Sequence, residues 1–146
     1  MIRIDSTIAP TSLLPAIEKL FELSAGKIAR LDRSWDPAAG TPVFTVDGRY
    51  TSRGWTEWTQ GFQYGCAILA FDATGDRELL ELGRQRTLKF MAPHVTPVGV
   101  HDHGFNNLST FGNLRRLMGE GKIAGDDWEN EYYELALKCS GAVQAA

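Results

Sequence analysis

Residues 71–80 read Phe71-Asp72-Ala73-Thr74-Gly75-Asp76-Arg77-Glu78-Leu79-Leu80, and the reading of this stretch decides the fold. Gly75 can take the left-handed conformation that ends a helix, and Asp76 can cap the next helix by accepting its free backbone N–H groups. Upstream, Trp58, Phe62, Gly65 and Leu69 recur at helical spacing, which predicts an amphipathic helix from about Thr56 with these four on one face. Downstream, Leu79, Leu80, Leu82, Leu88 and Phe90 continue a second helix until Pro93 and Pro97 stop it, because proline removes a backbone donor and restricts its predecessor. The expectation is a pair of antiparallel helices joined by a tight turn.

The same punctuation recurs at Ala124-Gly125-Asp126, where Glu129 completes an acidic capping box and Trp128, Tyr132, Leu135, Ala136 and Cys139 carry the last helix. Between the two turns lie a loop from Pro93 to Asp102 and a helix through Phe105, Leu108, Phe111, Leu114, Leu117 and Met118, ending near Gly119 and Gly121. At the N-terminus Thr11 or Ser12 can cap a first helix carrying Leu13, Ile17, Leu20, Phe21, Ile28 and Leu31, with Gly26 a candidate interruption. The stretch from Ser34 to Arg53 holds Pro37, Gly40, Pro42 and Gly48, so it reads as a loop with at most a short strand around Val43 to Val46. The chain is thus predicted to be all-α, a serial array of antiparallel helical hairpins in one domain over residues 1–146. Its fifth helix reaches Ala146 with neither a glycine cap nor a basic last turn, and reads as an interrupted helix.

Charged residues are mixed in sign and the formal net charge is −3, which argues against a nucleic-acid partner, since phosphate recognition favours clustered Lys and Arg. No basic segment with an apolar core opens the chain, and no apolar run approaches the ~20 residues of a bilayer span. No membrane partner is expected, and the location expected is cytoplasmic. Cys66 and Cys139 sit in apolar helical patterns and read as free thiols.

Chemistry concentrates in His101-Asp102-His103-Gly104-Phe105, which sets a carboxylate between two imidazoles. Asp102 has an ordinary explanation as a helix cap. A cap leaves the two flanking histidines unexplained, and the proline-rich loop before them holds the group at an exposed helix mouth, where functional residues concentrate. His94, His101, Asp102 and His103 do not share one helical face, so no metal is expected. No phosphate loop, Cys-x-x-Cys pair or Gly-x-Ser-x-Gly elbow occurs, and no cofactor is expected. Trp55 and Trp58 can stack on the C–H face of a sugar, although a core position explains Trp58 nearly as well. Gly61 and Gly65 leave a smooth strip for close approach of a ligand or, more commonly, of another helix. Asp126, Asp127, Glu129 and Glu131 read as a solvated helix start.

Two motifs, Trp58-Thr59-Gln60-Gly61-Phe62 with Gly65 and Thr74-Gly75-Asp76, and His101-Asp102 with Gly104-Phe105, give the chain a resemblance to the unsaturated glucuronyl hydrolases of glycoside hydrolase family 88. The related rhamnogalacturonyl hydrolases are similar more loosely. The resemblance implies an (α/α)₆ barrel, of which hairpins of this spacing would need on the order of 300 residues. The chain would then be the N-terminal part of an incomplete ring. It also implies hydration of a 4,5-unsaturated uronic acid, with protonation at C4, addition of water at C5 and release of the partner sugar, rather than displacement at the anomeric carbon. Carried over by position, Asp102 is the first essential aspartate and Trp58 an aromatic wall, and His101 would orient that carboxylate or bind the uronate; His103 is expected to line the site beside them. The second aspartate, the proton donor, has no counterpart before Ala146. Gln63 stands where the family often has an aromatic residue, and His103 where an apolar one is common.

The expected partner is therefore an oligosaccharide containing a uronic acid, and self-association is expected if an incomplete ring leaves apolar helix faces uncovered. Two other expectations stand beside it: a hydrolase of saturated glucuronides on the same fold, and a non-catalytic helical carbohydrate-binding or assembly module.

Overall fold

The computed structural model describes residue 5, residues 7–53 and residues 58–146; Trp55 and the predicted helix start at Thr56 lie outside them. Among the described residues the chain is mostly helical, with five α-helices and one small sheet. Helix α1 (Leu14–Ser34) follows a 3₁₀ turn, Pro10–Leu13, in which the Ser12 hydroxyl donates to the Ala9 carbonyl at 2.7 Å. It passes Gly26 unbroken. Its C-terminal half packs Ala25 and Ile28 against the core, and Asp32 accepts two hydrogen bonds from Arg86 at 2.8 and 2.9 Å. Its N-terminal half leaves Leu13, Leu14, Ile17, Leu20 and Leu23 exposed.

The sequence between Ser34 and Arg53 forms more than the single short strand expected. Strands β1 (Thr41–Val46) and β2 (Arg49–Arg53) pair antiparallel, with a register shift between Pro42 and Phe44. Asp47 and Gly48 turn the chain with φ of 49° and 74°, the left-handed pair whose twist suits a two-residue hairpin. The Trp35 indole N–H donates to the Gly40 carbonyl at 2.8 Å and ties the hairpin to the end of α1.

Helices α2 (Thr59–Thr74) and α3 (Arg77–Phe90) form the predicted pair, with Gly75 at φ 77° and Asp76 accepting the Glu78 N–H at 2.9 Å. The buried face of α2 is not the predicted one. Tyr64, Ala67, Ile68 and Phe71 face the core, while Trp58, Phe62 and Leu69 are exposed and of the predicted four only Gly65 is buried. Apolar side chains surround this helix on most sides, so periodicity alone could not choose the face.

The predicted helix from Phe105 to Met118 is two segments. Residues Gly104–Gly112 form a π-helical segment that runs into α4 (Asn113–Gly119). The wider π turn shifts the side-chain phase. Phe111, Leu114 and Leu117 are fully buried in consequence, and Phe105 and Leu108 face solvent. Helix α5 (Asp127–Ala145) starts with the predicted capping box between Asp126 and Glu129. Glu129 also takes the Arg84 guanidinium and the Tyr133 hydroxyl, joining α3 to α5, so it is a buried joint rather than part of a solvated helix start. Tyr64, Ile68, Leu80, Met91, Phe111, Leu114, Leu117 and Tyr133 form one core between these helices.

Candidate functional site

The two motifs, far apart in sequence, meet in space. Gly61 lacks a side chain where the π-helical segment crosses α2: a Cβ there would stand 2.3 Å from both the Asn106 Cα and the Phe105 carbonyl oxygen. A Cβ at Gly65 would meet the Ser109 carbonyl at 2.6 Å. The glycine strip thus serves helix packing. The close approach lets the Asn106 side-chain oxygen accept the Gly61 N–H at 2.9 Å, so the residue that follows one motif caps the first turn of the helix that carries the other.

The same crossing gathers three exposed aromatics. Trp58 lies edge-on to Phe62 at 5.5 Å between centroids and tilted to Phe105 at 5.6 Å, and Phe62 and Phe105 are 5.4 Å apart. Trp58 is not a core residue. It presents part of its indole to solvent, flanked by two phenyl rings that fix its orientation.

Trp58 and Phe62 also form one side of a groove of about 740 Å³ between α1, the hairpin and α2. Lys27 and Arg30 stand on its α1 wall, and Tyr50 on its hairpin wall. Thr59 and Gln63 are on the α2 side, and the Thr59 Oγ1 and Gln63 Oε1 atoms are buried without a hydrogen-bond partner among the described residues. Cys66, a free thiol at the groove, has its pKa raised by burial.

The three residues of the His-Asp-His run have different surroundings. His101 is 92% exposed and its Nε2 lies 3.4 Å from Asp102 Oδ1, while the Asp102 side chain is 21% exposed. Asp102 does not cap the following helix: His103 holds the N-cap position and no side chain caps it. His103 is turned inward. Its Nε2 must donate to the Pro97 carbonyl at 2.8 Å, and in the neutral ring Nδ1 then accepts the Ser140 hydroxyl at 2.8 Å. Asn107 donates to the same Ser140 oxygen and to the His94 carbonyl, each at 3.0 Å. Gln144, one turn beyond Ser140 on α5, donates to the Val100 carbonyl at 2.9 Å. Helix α5 therefore holds the loop bearing His101 and Asp102 at two points.

A second buried histidine adjoins this network. His94 bonds through Nε2 to the Gln60 side-chain oxygen, and Gln60 reaches the Tyr64 hydroxyl at 3.5 Å. Burial, reinforced by nearby His103, pushes the His94 pKa down to about 4, and the ring is neutral at ordinary pH. The sequence reading missed this interior role for His94, which a histidine flanked by Pro93 and Val95 at the end of an apolar helix could have suggested. Among the described residues no three His, Cys, Asp or Glu side chains converge as metal ligands, and no helix is long and apolar enough to cross a membrane.

Comparison with protein-family models, with curated proteins and with solved structures gives no match to this chain.

Proposed function

We propose that the chain forms one wall of the sugar cleft in a glycoside hydrolase of the (α/α)₆-barrel plan, acting on oligosaccharides that end in a 4,5-unsaturated uronic acid. One observation carries the reading: the Trp-Thr-Gln-Gly-Phe and His-Asp-His-Gly-Phe motifs converge on an exposed aromatic cluster, Trp58, Phe62 and Phe105, beside an open groove. Such a surface suits the C–H faces of pyranose rings. The uncovered apolar stripe of α1 suits burial against a further hairpin of a ring. The free thiol of Cys66 fits a reducing, cytoplasmic setting.

In this reading Asp102 contacts the unsaturated ring and His101 orients its carboxylate. His103 holds their loop from inside. Protonation at C4 and water addition at C5 give a hemiketal that opens and releases the partner sugar. The proton comes from a second carboxylic acid, which the reading assigns to no residue of this chain. A carbohydrate-binding module is the second reading, favoured by the exposed aromatic cluster, which can hold a sugar without any acid.

The test is incubation with an unsaturated glucuronyl disaccharide, following the ultraviolet absorbance of its conjugated double bond. Turnover that falls at least ~100-fold in Asp102→Asn is the expected result. Wild-type turnover in Asp102→Asn would remove the role given to that residue. Binding that depends on Trp58, without any turnover, would favour the module. A saturated glucuronide assayed in parallel separates the two hydrolase activities.

A further inference from the structure

We propose that the outer face of α5 pairs antiparallel with α5 of a second copy of this chain, about a two-fold axis that passes between Tyr132 and Leu135. The inference goes beyond the sugar reading and does not rest on it.

Hydrophobic spacing is the first argument. Trp128, Tyr132, Leu135, Cys139 and Ala142 follow one another at intervals of four, three, four and three residues, the period of a seam between two helices. The protein's own core covers a different side of α5, through Glu129, Tyr133, Ala136 and Ser140. Tyr132 and Cys139 lie at the border and are partly buried, while Trp128 and Leu135 are 56% and 57% exposed and Ala142 is exposed. Large apolar side chains in a regular line outside the core describe a surface that another helix covers. The matching line on α1, Ile17, Leu20, Ser24 and Lys27, turns polar after two residues.

Charge and size choose the occupant and its direction. Glu131 and Lys138 flank the seam on its open side, and both are exposed. In an antiparallel pair of identical helices, Tyr132 of each copy packs on Leu135 of the other, and Trp128 on Cys139, so every layer sets a larger side chain against a smaller one. The same alignment brings Glu131 of each copy to Lys138 of the other, twice by symmetry. A parallel pair would stack Trp128 on itself and Ala142 on itself, and would give neither charge a complement. In the single chain Lys138 reaches Glu134 at 2.5 Å, an exposed contact one turn away on the same helix, too weak to hold Lys138 against a new partner. From Trp128 to Ala142 the seam is about 21 Å long. The contact is therefore at the small end of specific interfaces, about 1,200 Å² or less in total, and the association expected is micromolar.

The experiment is sedimentation velocity of the full chain over a concentration series spanning the micromolar range. It is repeated on Leu135→Glu, on Glu131→Lys and Lys138→Glu singly and together, and on a mixture of the two single charge variants. All three positions are exposed, and circular dichroism verifies that each variant keeps its fold. The expected result is a reversible monomer–dimer equilibrium that Leu135→Glu abolishes. Either charge variant alone sets like charges together twice and weakens association by about tenfold. Association returns when both changes are in one chain and when the two single variants are mixed, because each pair joins position 131 of one copy to position 138 of the other. A chain that stays monomeric throughout, a dimer indifferent to Leu135→Glu, or charge variants that do not rescue each other would overturn the inference. A dimer lost in Leu20→Glu and kept in Leu135→Glu would put the contact on α1 and overturn it as well.

Discussion

Replacing Gly61 by alanine is the most direct test of the crossing between α2 and the π-helical segment. The added Cβ would lie 2.3 Å from two backbone atoms, the Asn106 Cα and the Phe105 oxygen, and neither can rotate away as a side chain could. The segments must separate by about an ångström to restore ordinary contact. Overpacking of this kind costs about 1–3 kcal/mol. Separation also stretches the Gly61 N–H bond to Asn106, whose side chain is buried, and an unsatisfied buried acceptor costs about 1–3 kcal/mol more. Together these give a loss of about 2–6 kcal/mol. Urea unfolding monitored by tryptophan fluorescence would read it as a lower midpoint at unchanged slope. Gly26→Ala is the internal control: nothing lies within 4 Å of its Cβ position, and in a helix interior the change should stabilise by about 0.5–1 kcal/mol. A Gly61→Ala loss below about 0.5 kcal/mol would refute the close approach.

Two further predictions concern charge. Glu129→Gln breaks a buried pair with Arg84 and should cost about 3 kcal/mol by thermal or chemical unfolding. Burial would raise the Glu129 pKa, but Arg84 outweighs it and holds the group below the ordinary carboxylate value. The contribution is thus present above the unfolded-state pKa and lost as pH falls through the lower folded one, so the wild type should lose more stability in acid than the variant does. His94 has the opposite origin: its folded pKa is lowered because the charged form is buried. The unfolded chain takes up a proton first, and stability should fall by about 2 kcal/mol from pH 7 to 5, levelling near pH 4. An imidazole NMR titration with a midpoint near 6.5 for His94 would contradict this.

Local chemistry made much of the fold legible. Gly75 with Asp76, the Asp126–Glu129 capping box and Pro93 each act within a few residues, and each places a helix end in the structure. Strand β2 was missed although its signal was present, because Asp47-Gly48 between Val46 and Tyr50 is a hairpin turn that the nearby prolines obscured. The buried face of α2 was not legible, since Trp58, Phe62 and Leu69 are as apolar as Tyr64 and Ile68, and only the neighbours decide which side is covered. Phe105 and Leu108 were misplaced for a different reason: the helical period assumed for them is not that of a π turn. At the candidate site, the Gly61–Gly65 strip packs against the π-helical segment, the commoner of the two uses its spacing offers. The inward turn of His103 depends on Ser140, thirty-seven residues away, and no local pattern encodes it.

That dependence has a consequence for synthesis. Chains emerge from the ribosome N-terminus first and begin to fold as they appear. The loop carrying His101 and Asp102 emerges before its two restraints, Ser140 and Gln144, exist to hold it. Until Ser140 and Gln144 clear the exit tunnel, the helices around Tyr64 and Ile68 can already pack while the loop has no anchor on α5. The order of translation therefore makes this loop take its geometry later than the helices that precede it.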